Sequence, residues 1–258
     1  YFTVGFALFF SWCYGGATLF SKNREDTFQR LNHYFFRGFF FFLKGLTPGI
    51  KWHIPHNIKE IQSSLVMSNH LSYLDPLLMI MLFPRHKTIV KSTFFNVPLF
   101  GWLMKQSGFI PAADKGRLLA LMIERIEALD DFLATGGNLF IFPEGTRSRD
   151  GTLGCFNKGA FKIAGKCQAP IEVLKVSGTG NLFTPGRFLF NASISTTIAV
   201  EKVGSFAADG GKRRASISES MAEVRSFLTR YKQAVGIFRD VFYFLHLSIK
   251  SAKSKQRP

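Results

Sequence analysis

The feature that most constrains the fold is an alternation of short apolar runs with longer amphipathic stretches between residues 51 and 211. Residues 117–134 have apolar side chains at helical spacing, and Gly136 and Gly137 predict where that helix ends. Two further strand-like runs lie within residues 187–203. Four apolar runs resemble buried strands: Leu65–Met67, Thr88–Val90, Leu139–Phe142 and Ile171–Val176. Strands alternating with helices predict an α/β domain over residues 51–211, with a mixed, substantially parallel sheet flanked by helices.

Residues 1–50 are predicted to form helices that associate with a membrane. Residues 1–21 carry no charged side chain, and about 20 helical residues suffice to cross a hydrocarbon layer of about 30 Å. Lys22 and Arg24 follow at once, as expected where a segment meets the cytoplasmic interface. The Phe-rich run 34–43 is too short to span, so we interpret it as an interfacial helix, with a buried core hairpin as the alternative.

The charge of the chain indicates an anionic partner. The 258 residues carry a net charge of +16 together with 30 Phe. This combination favours a membrane surface over nucleic acid, and no RNP, zinc-finger or basic-zipper signature is present. We therefore expect anionic membrane lipids as partners and no nucleic acid.

Residues 212–258 are predicted to form a basic C-terminal helix and tail. The last 48 residues contain eleven Lys or Arg and three acidic residues, which is half of the net charge. A helix is expected from about residue 218 to 235, followed by an aromatic patch at 241–245 and a basic tail at 250–258.

Three widely spaced Cys without a C-x-x-C pair indicate neither a disulfide framework nor a metal site.

Polar side chains follow the first apolar run directly. His70 comes at the carboxyl end of the predicted strand, and Asp75 comes about one turn later. A carboxylate that bonds one imidazole nitrogen fixes the tautomer and leaves the other nitrogen free as a general base. Because no G-x-S-x-G elbow supplies a protein nucleophile, we expect His70 to activate a hydroxyl of the substrate.

A second polar cluster follows the third apolar run. Residues 144–147 read Glu-Gly-Thr-Arg and place a carboxylate, a permissive backbone and a guanidinium in four consecutive positions. Arg suits bidentate contact with phosphate; a turn with solvated charges is the alternative. Ligands of such sheets gather beyond the carboxyl ends of the strands, so the two clusters are predicted to lie in one site.

Together the two clusters resemble the glycerolipid acyltransferase family, whose best-known members are lysophosphatidic acid acyltransferases. The order and separation of the motifs make the likeness specific, and it extends over roughly residues 30–205. It rests on the following segments: Asn69-His70 with Ser72 and Asp75, then Lys91–Trp102, Gly108–Pro111, Phe142–Ser148 and Ala169–Ile171.

The resemblance implies transfer of a fatty acyl group to the hydroxyl of a lysophospholipid, most simply lysophosphatidic acid. The acyl donor is acyl-CoA or acyl carrier protein as a co-substrate, with no cofactor and no metal. His70 deprotonates the hydroxyl and Asp75 orients His70. The implied acceptor and phosphate site comprises Lys91, Glu144, Gly145, Thr146 and Arg147. The implied supporting residues are Asn69, Ser72 and Pro143. The expected location is the cytoplasmic face of the inner (plasma) membrane.

One place departs from the family pattern. After Gly108-Phe109-Ile110 the family carries an acidic or amide residue followed by Arg, whereas this chain has Ala113 and Asp114. Replacing a phosphate-facing Arg by Asp reverses the local charge. Either Lys115 or Arg117 then supplies the cation, or the acceptor is a different one, such as a lyso-aminolipid. A catalytically silent membrane-binding protein on the same fold is a further alternative.

Overall fold

The computed structural model describes residues 10–148, 150–167, 169–184, 190–191, 193–206 and 216–230. Within these residues the strands are β1 (Ile50–His53), β2 (Leu65–Ser68), β3 (His86–Lys91), β4 (Ile110–Ala112), β5 (Asn138–Ile141), β6 (Ile171–Ser177) and β7 (Thr196–Phe206). The helices are α1 (Ser11–Phe20), α2 (Arg24–Leu46), α3 (His56–Lys59), α4 (Leu74–Leu82), α5 (Phe100–Gln106), α6 (Gly116–Glu127), α7 (Leu129–Ala134), α8 (Lys158–Lys166), α9 (Thr179–Leu182) and α10 (residues 217–230). A 3₁₀ segment covers Ser92–Asn96.

The strands form one sheet in the order β1-β7-β6-β2-β5-β3-β4. Five strands, from β6 to β4, run parallel to their neighbours. β7 is antiparallel to β6, and β1 is parallel to β7. The predicted mixed, substantially parallel sheet is therefore confirmed. The carboxyl ends of β6, β2 and β5 lie side by side at one edge.

The central strands are apolar because both of their faces are covered. All four residues of β2 are buried, and Val66 points into one core cluster while Leu65 and Met67 point into the other. Side chains alternate between the faces of a strand, so a strand between two helical layers lacks the usual polar alternation. All four predicted strands are present, although β5 ends at Ile141 rather than at Phe142.

One expectation needs correction. The stretch 117–134 is two helices, because Ala128 leaves helical geometry at φ −81°, ψ 4°. α6 contains no buried residue, whereas α7 buries Leu129, Phe132 and Leu133, so the break turns an apolar face toward the core. Of the two strand-like runs predicted in 187–203, one is present as β7, which begins at Thr196; residues 187–189 and 192 lie outside the described residues.

The N-terminal helices pack on the α/β domain. Residues 34–43 lie inside α2 and use both faces: Phe35, Phe39, Phe40 and Leu43 are buried, whereas Tyr34, Phe41 and Phe42 are exposed. The buried Phe39, Phe40 and Leu43 belong to the same core cluster as α4 residues Leu74 and Leu78. No helix within the described ranges is long and apolar enough to cross a membrane, and residues 1–9 lie outside them.

The predicted C-terminal helix is present over residues 217–230. Its Val224 and Leu228 are buried in the core cluster that also contains Met67 and Val173. The expected end of this helix, the aromatic patch at 241–245 and the basic tail at 250–258 lie outside the described residues.

Candidate active site

His70 and Asp75 form a hydrogen-bonded pair just beyond the carboxyl end of β2. His70 Nδ1 donates to Asp75 Oδ2 over 2.9 Å. The side chain of His70 is 15% exposed and that of Asp75 is fully buried. The bond fixes the proton on Nδ1 and leaves Nε2 as an acceptor. No residue in the part of the chain that the structure describes forms a hydrogen bond to Nε2.

The Asp75 carboxylate is held by four donors from two elements. Oδ2 also accepts from the backbone N–H groups of Leu71, over 2.6 Å, and Ser72, over 2.7 Å. Oδ1 accepts from the Thr179 hydroxyl over 2.6 Å. A buried charge is costly unless it is fully hydrogen-bonded. These four contacts therefore compensate for the burial of the Asp75 carboxylate.

Thr179 is a site residue that the sequence analysis missed. It is fully buried at the start of α9, directly after β6. The turn that delivers it needs glycine, since Gly178 has φ +80° and a Cβ there would collide with the carbonyl oxygen of Thr197. The only local sequence signal was a Gly-Thr pair after a predicted strand, which is too short a pattern to indicate a role.

The imidazole of His70 is also fixed from its face. It stacks on the Phe142 ring with a centroid distance of 4.3 Å and an interplanar angle of 21°. Phe142 follows β5 directly, so the neighbouring parallel strand supplies the surface on which His70 lies. Stacking and the Asp75 bond together leave one edge of the ring, the Nε2 edge, for a ligand.

Two polar side chains bind the strand exits to one another. The Glu144 carboxylate accepts from the backbone N–H of His70 over 2.9 Å and from that of Gly154 over 2.8 Å. The Asn69 amide bonds both the N–H and the carbonyl of Val176 on β6, at 2.8 and 2.9 Å. The loops after β2, β5 and β6 are therefore fastened to one another around His70.

The remaining predicted residues near the pair have distinct places. The Ser72 hydroxyl donates to the Phe183 carbonyl over 2.8 Å. The Pro143 carbonyl accepts from the Asn157 N–H over 2.7 Å. Gly145 and Thr146 are exposed in the loop after β5. Gly145 has φ +66°, which glycine adopts without strain. None of these four residues forms a hydrogen bond to His70 Nε2.

Arg147 and Lys91 are the two predicted cations of the site. The Arg147 guanidinium lies over the Tyr73 ring at 3.4 Å from its centroid, and its buried Nη1 has no hydrogen-bond partner among the described residues. Lys91 is exposed at the carboxyl end of β3. Lys91 shares the carboxyl end of the sheet with His70 and Glu144, and within the described residues it forms no hydrogen bond or ion pair with them. Charged donors without partners suit an anionic ligand.

One protein family matches the part of the chain that carries the site. The model of the family described as Acyltransferase matches residues 49–176. Over these residues the chain is similar to the acyltransferase family. The matched region contains every site residue that the sequence analysis predicted, whereas Thr179 lies just beyond it.

The relatives of this chain match it over part of their length. It is 37% identical to the chloroplastic 1-acyl-sn-glycerol-3-phosphate acyltransferase BAT2 of Brassica napus over 46% of this chain and 34% of that protein. It is 31% identical to the 1-acyl-sn-glycerol-3-phosphate acyltransferase of Saccharomyces cerevisiae over 55% of this chain and 51% of that protein. The matched part thus spans between a third and about half of the length of these relatives.

The fold is that of a solved structure. The crystal structure of the 1-acyl-sn-glycerophosphate (LPA) acyltransferase PlsC from Thermotoga maritima superposes with a TM-score of 0.69 over 90% of each chain at 21% identity. The sheet flanked by helices is therefore shared with that protein.

The region of the departing motif lies on the same side of the sheet. β4 pairs with β3, with Lys91 opposite Ala112. Asp114, Lys115 and Arg117 follow and are all exposed. The described residues contain no group of three or more His, Cys, Asp or Glu arranged to hold a metal ion.

Proposed function

We propose that the protein transfers a fatty acyl group from a thioester, acyl-CoA or acyl carrier protein, to the free hydroxyl of lysophosphatidic acid. The observation that carries the proposal is the His70–Asp75 pair with its unoccupied Nε2 edge. The names of the relatives, which are 1-acyl-sn-glycerol-3-phosphate acyltransferases, support the choice of acceptor.

In the proposed mechanism His70 is the general base. Its Nε2 takes the proton of the acceptor hydroxyl as the oxygen attacks the thioester carbonyl. The tetrahedral intermediate collapses, the C–S bond breaks, and the thiolate leaves and takes up the proton from His70. Asp75 stabilises the imidazolium formed in between. General-base assistance of this kind is typically worth ~10²–10⁴-fold in rate.

Direct attack by the acceptor fits the state of three candidate nucleophiles, of which Ser72 and Thr179 lie near the His70–Asp75 pair. The Ser72 hydroxyl is committed to the Phe183 carbonyl, and the Thr179 hydroxyl is committed to Asp75. Burial raises the pKa of the Cys167 thiol to about 12, so it is not a thiolate at neutral pH. None of these three groups is placed as a protein nucleophile.

Thr179 acts in this mechanism as a positioning residue. By donating to Oδ1 it fixes the rotation of the Asp75 carboxylate, so that Oδ2 stays aimed at His70 Nδ1. Glu144 and Asn69 have related tasks, since they hold the loops that carry His70. The hydrogen bonds of Thr179, Glu144 and Asn69 therefore fix the position of the His70–Asp75 pair without any substrate.

Arg147 and Lys91 are proposed to bind the acceptor phosphate. The Nη1 of Arg147 has no hydrogen-bond partner within the described ranges, and Lys91 is exposed at the same end of the sheet. Contacts of charged donors with phosphate contribute about 1.5–3 kcal/mol each. A lyso-aminolipid is a second candidate acceptor, because Asp114 stands where the resemblance implies a phosphate-facing Arg.

The protein is proposed to work at a membrane, on the cytoplasmic face. Seven large apolar side chains of the N-terminal helices are exposed: Trp12, Leu19, Phe20, Tyr34, Phe41, Phe42 and Leu46. An exposed apolar surface of this extent is typical of contact with lipid or protein, and the acceptor is itself a lipid. The net charge of +16 favours an anionic bilayer.

An acceptor panel tests the proposal. The purified protein is given long-chain acyl-CoA or acyl carrier protein with lysophosphatidic acid, lysophosphatidylethanolamine or an aminolipid acceptor. Thiol release and product formation with lysophosphatidic acid are expected to exceed those with the other acceptors. A preference for an aminolipid supports the second candidate, and no thiol release with any pair contradicts acyl transfer altogether.

A further inference from the structure

The segment between β3 and α5 exposes an unusual share of apolar surface. Within residues 92–100, which we call the β3–α5 loop, four apolar side chains are 41–55% exposed. They are Phe94, Val97, Leu99 and Phe100. The loop begins directly after Lys91, at the edge of the sheet that carries His70. It is a different part of the chain from the N-terminal helices, and α5, which follows it, packs on them through Trp102 and Leu103.

The tip of this loop is held in a strained conformation. Leu99 has φ +60° and ψ −54°, and the Phe100 N–H donates to the Pro98 carbonyl over 2.6 Å. This is a γ-turn with positive φ, a rare and strained turn for a residue with a side chain. Such strain persists only where the surroundings over-determine it. Gly101 contributes, because a Cβ there would collide with the Phe95 carbonyl oxygen.

The γ-turn keeps a large apolar side chain in solvent at a cost to the fold. Leu99 is 55% exposed, and its side chain belongs to none of the three core clusters of the described residues. A glycine would adopt the same φ without strain. The leucine is therefore not explained by the stability of the isolated molecule, and strain of this kind points to a role in binding.

The charges around the loop are complementary to an anionic surface. Lys91 precedes it, and Lys115 and Arg117 follow the residue that pairs with Lys91 across β3 and β4. All three are exposed, against one exposed acid, Asp114. Apolar side chains bordered by exposed cations are the arrangement that binds the interface of an anionic bilayer.

We propose that the β3–α5 loop inserts into the interfacial layer of an anionic phospholipid bilayer, with Leu99 at its tip. Phe94, Val97 and Phe100 then enter the acyl boundary, while the neighbouring cations meet lipid headgroups. Because the loop leaves the carboxyl edge of the sheet, this docking turns the His70 site toward the lipid. The inference rests on the proposed function only in taking lipid as the substrate.

Vesicle binding by the full chain tests the inference without any turnover. Leu99→Gly removes the apolar tip and the strain, and Phe94→Ser removes a second apolar group. Each is expected to lower affinity for phosphatidylcholine–phosphatidylglycerol vesicles about fivefold to tenfold. Ile123→Ala is the matched control, since Ile123 is 47% exposed on α6; its vesicle affinity is expected to stay at the wild-type value.

The thermal midpoint and a soluble substrate distinguish loss of membrane docking from damage to the fold or to the active site. Leu99→Gly is expected to keep or raise the thermal midpoint, and to keep activity on a short-chain, monomeric lysophosphatidic acid while losing it on vesicle-borne acceptor. Unchanged vesicle affinity of both variants overturns the inference, as does an equal loss on the soluble substrate. The inference is also overturned if Leu99→Gly and Phe94→Ser keep their vesicle affinity but lose self-association of the protein, because the loop would then bind a second copy of the chain. Failure of acyl transfer itself leaves the vesicle measurement unaffected.

Discussion

His70 and His86 have similar surroundings and opposite properties. Each donates from Nδ1, His70 to the Asp75 carboxylate over 2.9 Å and His86 to the Phe83 carbonyl over 2.7 Å. Each lies against Phe rings. His70 is at the carboxyl edge of the sheet and partly exposed, whereas His86 starts β3 and is fully buried. Burial lowers the pKa of His86 to about 3, and the bond to Phe83 opposes this only in part.

The two histidines differ in the partner of Nδ1 and in the surroundings of Nε2. A carbonyl partner fixes the tautomer just as a carboxylate does, but it supplies no negative charge to balance an imidazolium. The Nε2 of His86 is buried and has no hydrogen-bond partner in the part of the chain that the structure describes, so it offers no exposed nitrogen to a substrate. Position at a strand exit and the carboxylate of Asp75 are the two features that distinguish the proposed base from a structural histidine.

Replacing Asp75 by Asn should make His70 resemble His86. Asp75→Asn keeps the shape and removes the charge that stabilises the imidazolium, so kcat is expected to fall by ~10²–10⁴-fold with little change in KM. The measurement is steady-state thiol release. Asp131→Asn, an exposed acid on α7, is the control and should retain activity. Wild-type turnover in Asp75→Asn would show that the charge is dispensable.

Replacing Arg147 tests the proposed phosphate site next to the base. Arg147→Gln removes a guanidinium whose Nη1 has no partner, so KM for lysophosphatidic acid should rise by roughly 10- to 100-fold, the equivalent of one charged hydrogen bond. kcat should change less. Arg24→Gln, at the exposed start of α2, provides the control. An unchanged KM would move the phosphate away from Arg147.

Replacing Thr179 tests how rigidly Asp75 must be held. Thr179→Val leaves Oδ1 without its 2.6 Å donor, and kcat is expected to fall about tenfold, in line with one hydrogen bond to a charged group. Thr179→Ser keeps the hydroxyl and removes only the methyl group, so it should retain most of the wild-type rate. A large loss of rate in Thr179→Ser would instead indicate that the methyl group matters for packing. If Val and Ser variants are equally impaired, packing rather than the hydroxyl matters.

The pH dependence of stability should report His86. Its pKa is lowered to about 3 in the fold, against about 6.5 in the unfolded chain. Below pH 6.5 the unfolded chain therefore binds a proton that the fold excludes, so stability falls by up to about 1.4 kcal/mol per pH unit on acidification. Burial also lowers the pKa of His33, which faces His86 and adds to the same trend.

The variant His86→Asn isolates this contribution. Thermal or urea unfolding of wild type and variant is measured between pH 7.5 and pH 5, and the difference in stability between them should shrink as the pH falls. A difference that is independent of pH would mean that His86 stays neutral in both states or charged in both.

The sequence predicted the parts of this molecule that depend on local pattern. β2, β3, β5 and β6 were predictable because burial on both faces leaves an apolar run in the sequence. The positions of His70 and Glu144 after β2 and β5 followed, since parallel neighbours end at one edge. The break at Ala128 was not predictable, because both halves of the stretch keep helical spacing and only packing decides which face turns inward.

Contacts between distant segments escaped the sequence analysis for the same reason. Thr179 meets Asp75 across 104 positions of the chain, and nothing in a Gly-Thr pair indicates that β6 lies beside β2. The γ-turn at Leu99 likewise leaves no signal in the sequence, since leucine rarely adopts positive φ. Both features follow from tertiary structure that imposes a conformation or a partner on an ordinary residue.

The most direct test of the proposed mechanism is the rate of acyl transfer by His70→Ala. Wild type and variant, matched for thermal midpoint and for vesicle binding, are given acyl-CoA and lysophosphatidic acid, and phosphatidic acid is quantified. We expect the variant to lose ~10²-fold or more of the wild-type rate while it still binds vesicles. A variant that forms phosphatidic acid at the wild-type rate would contradict the assignment of His70 as the base.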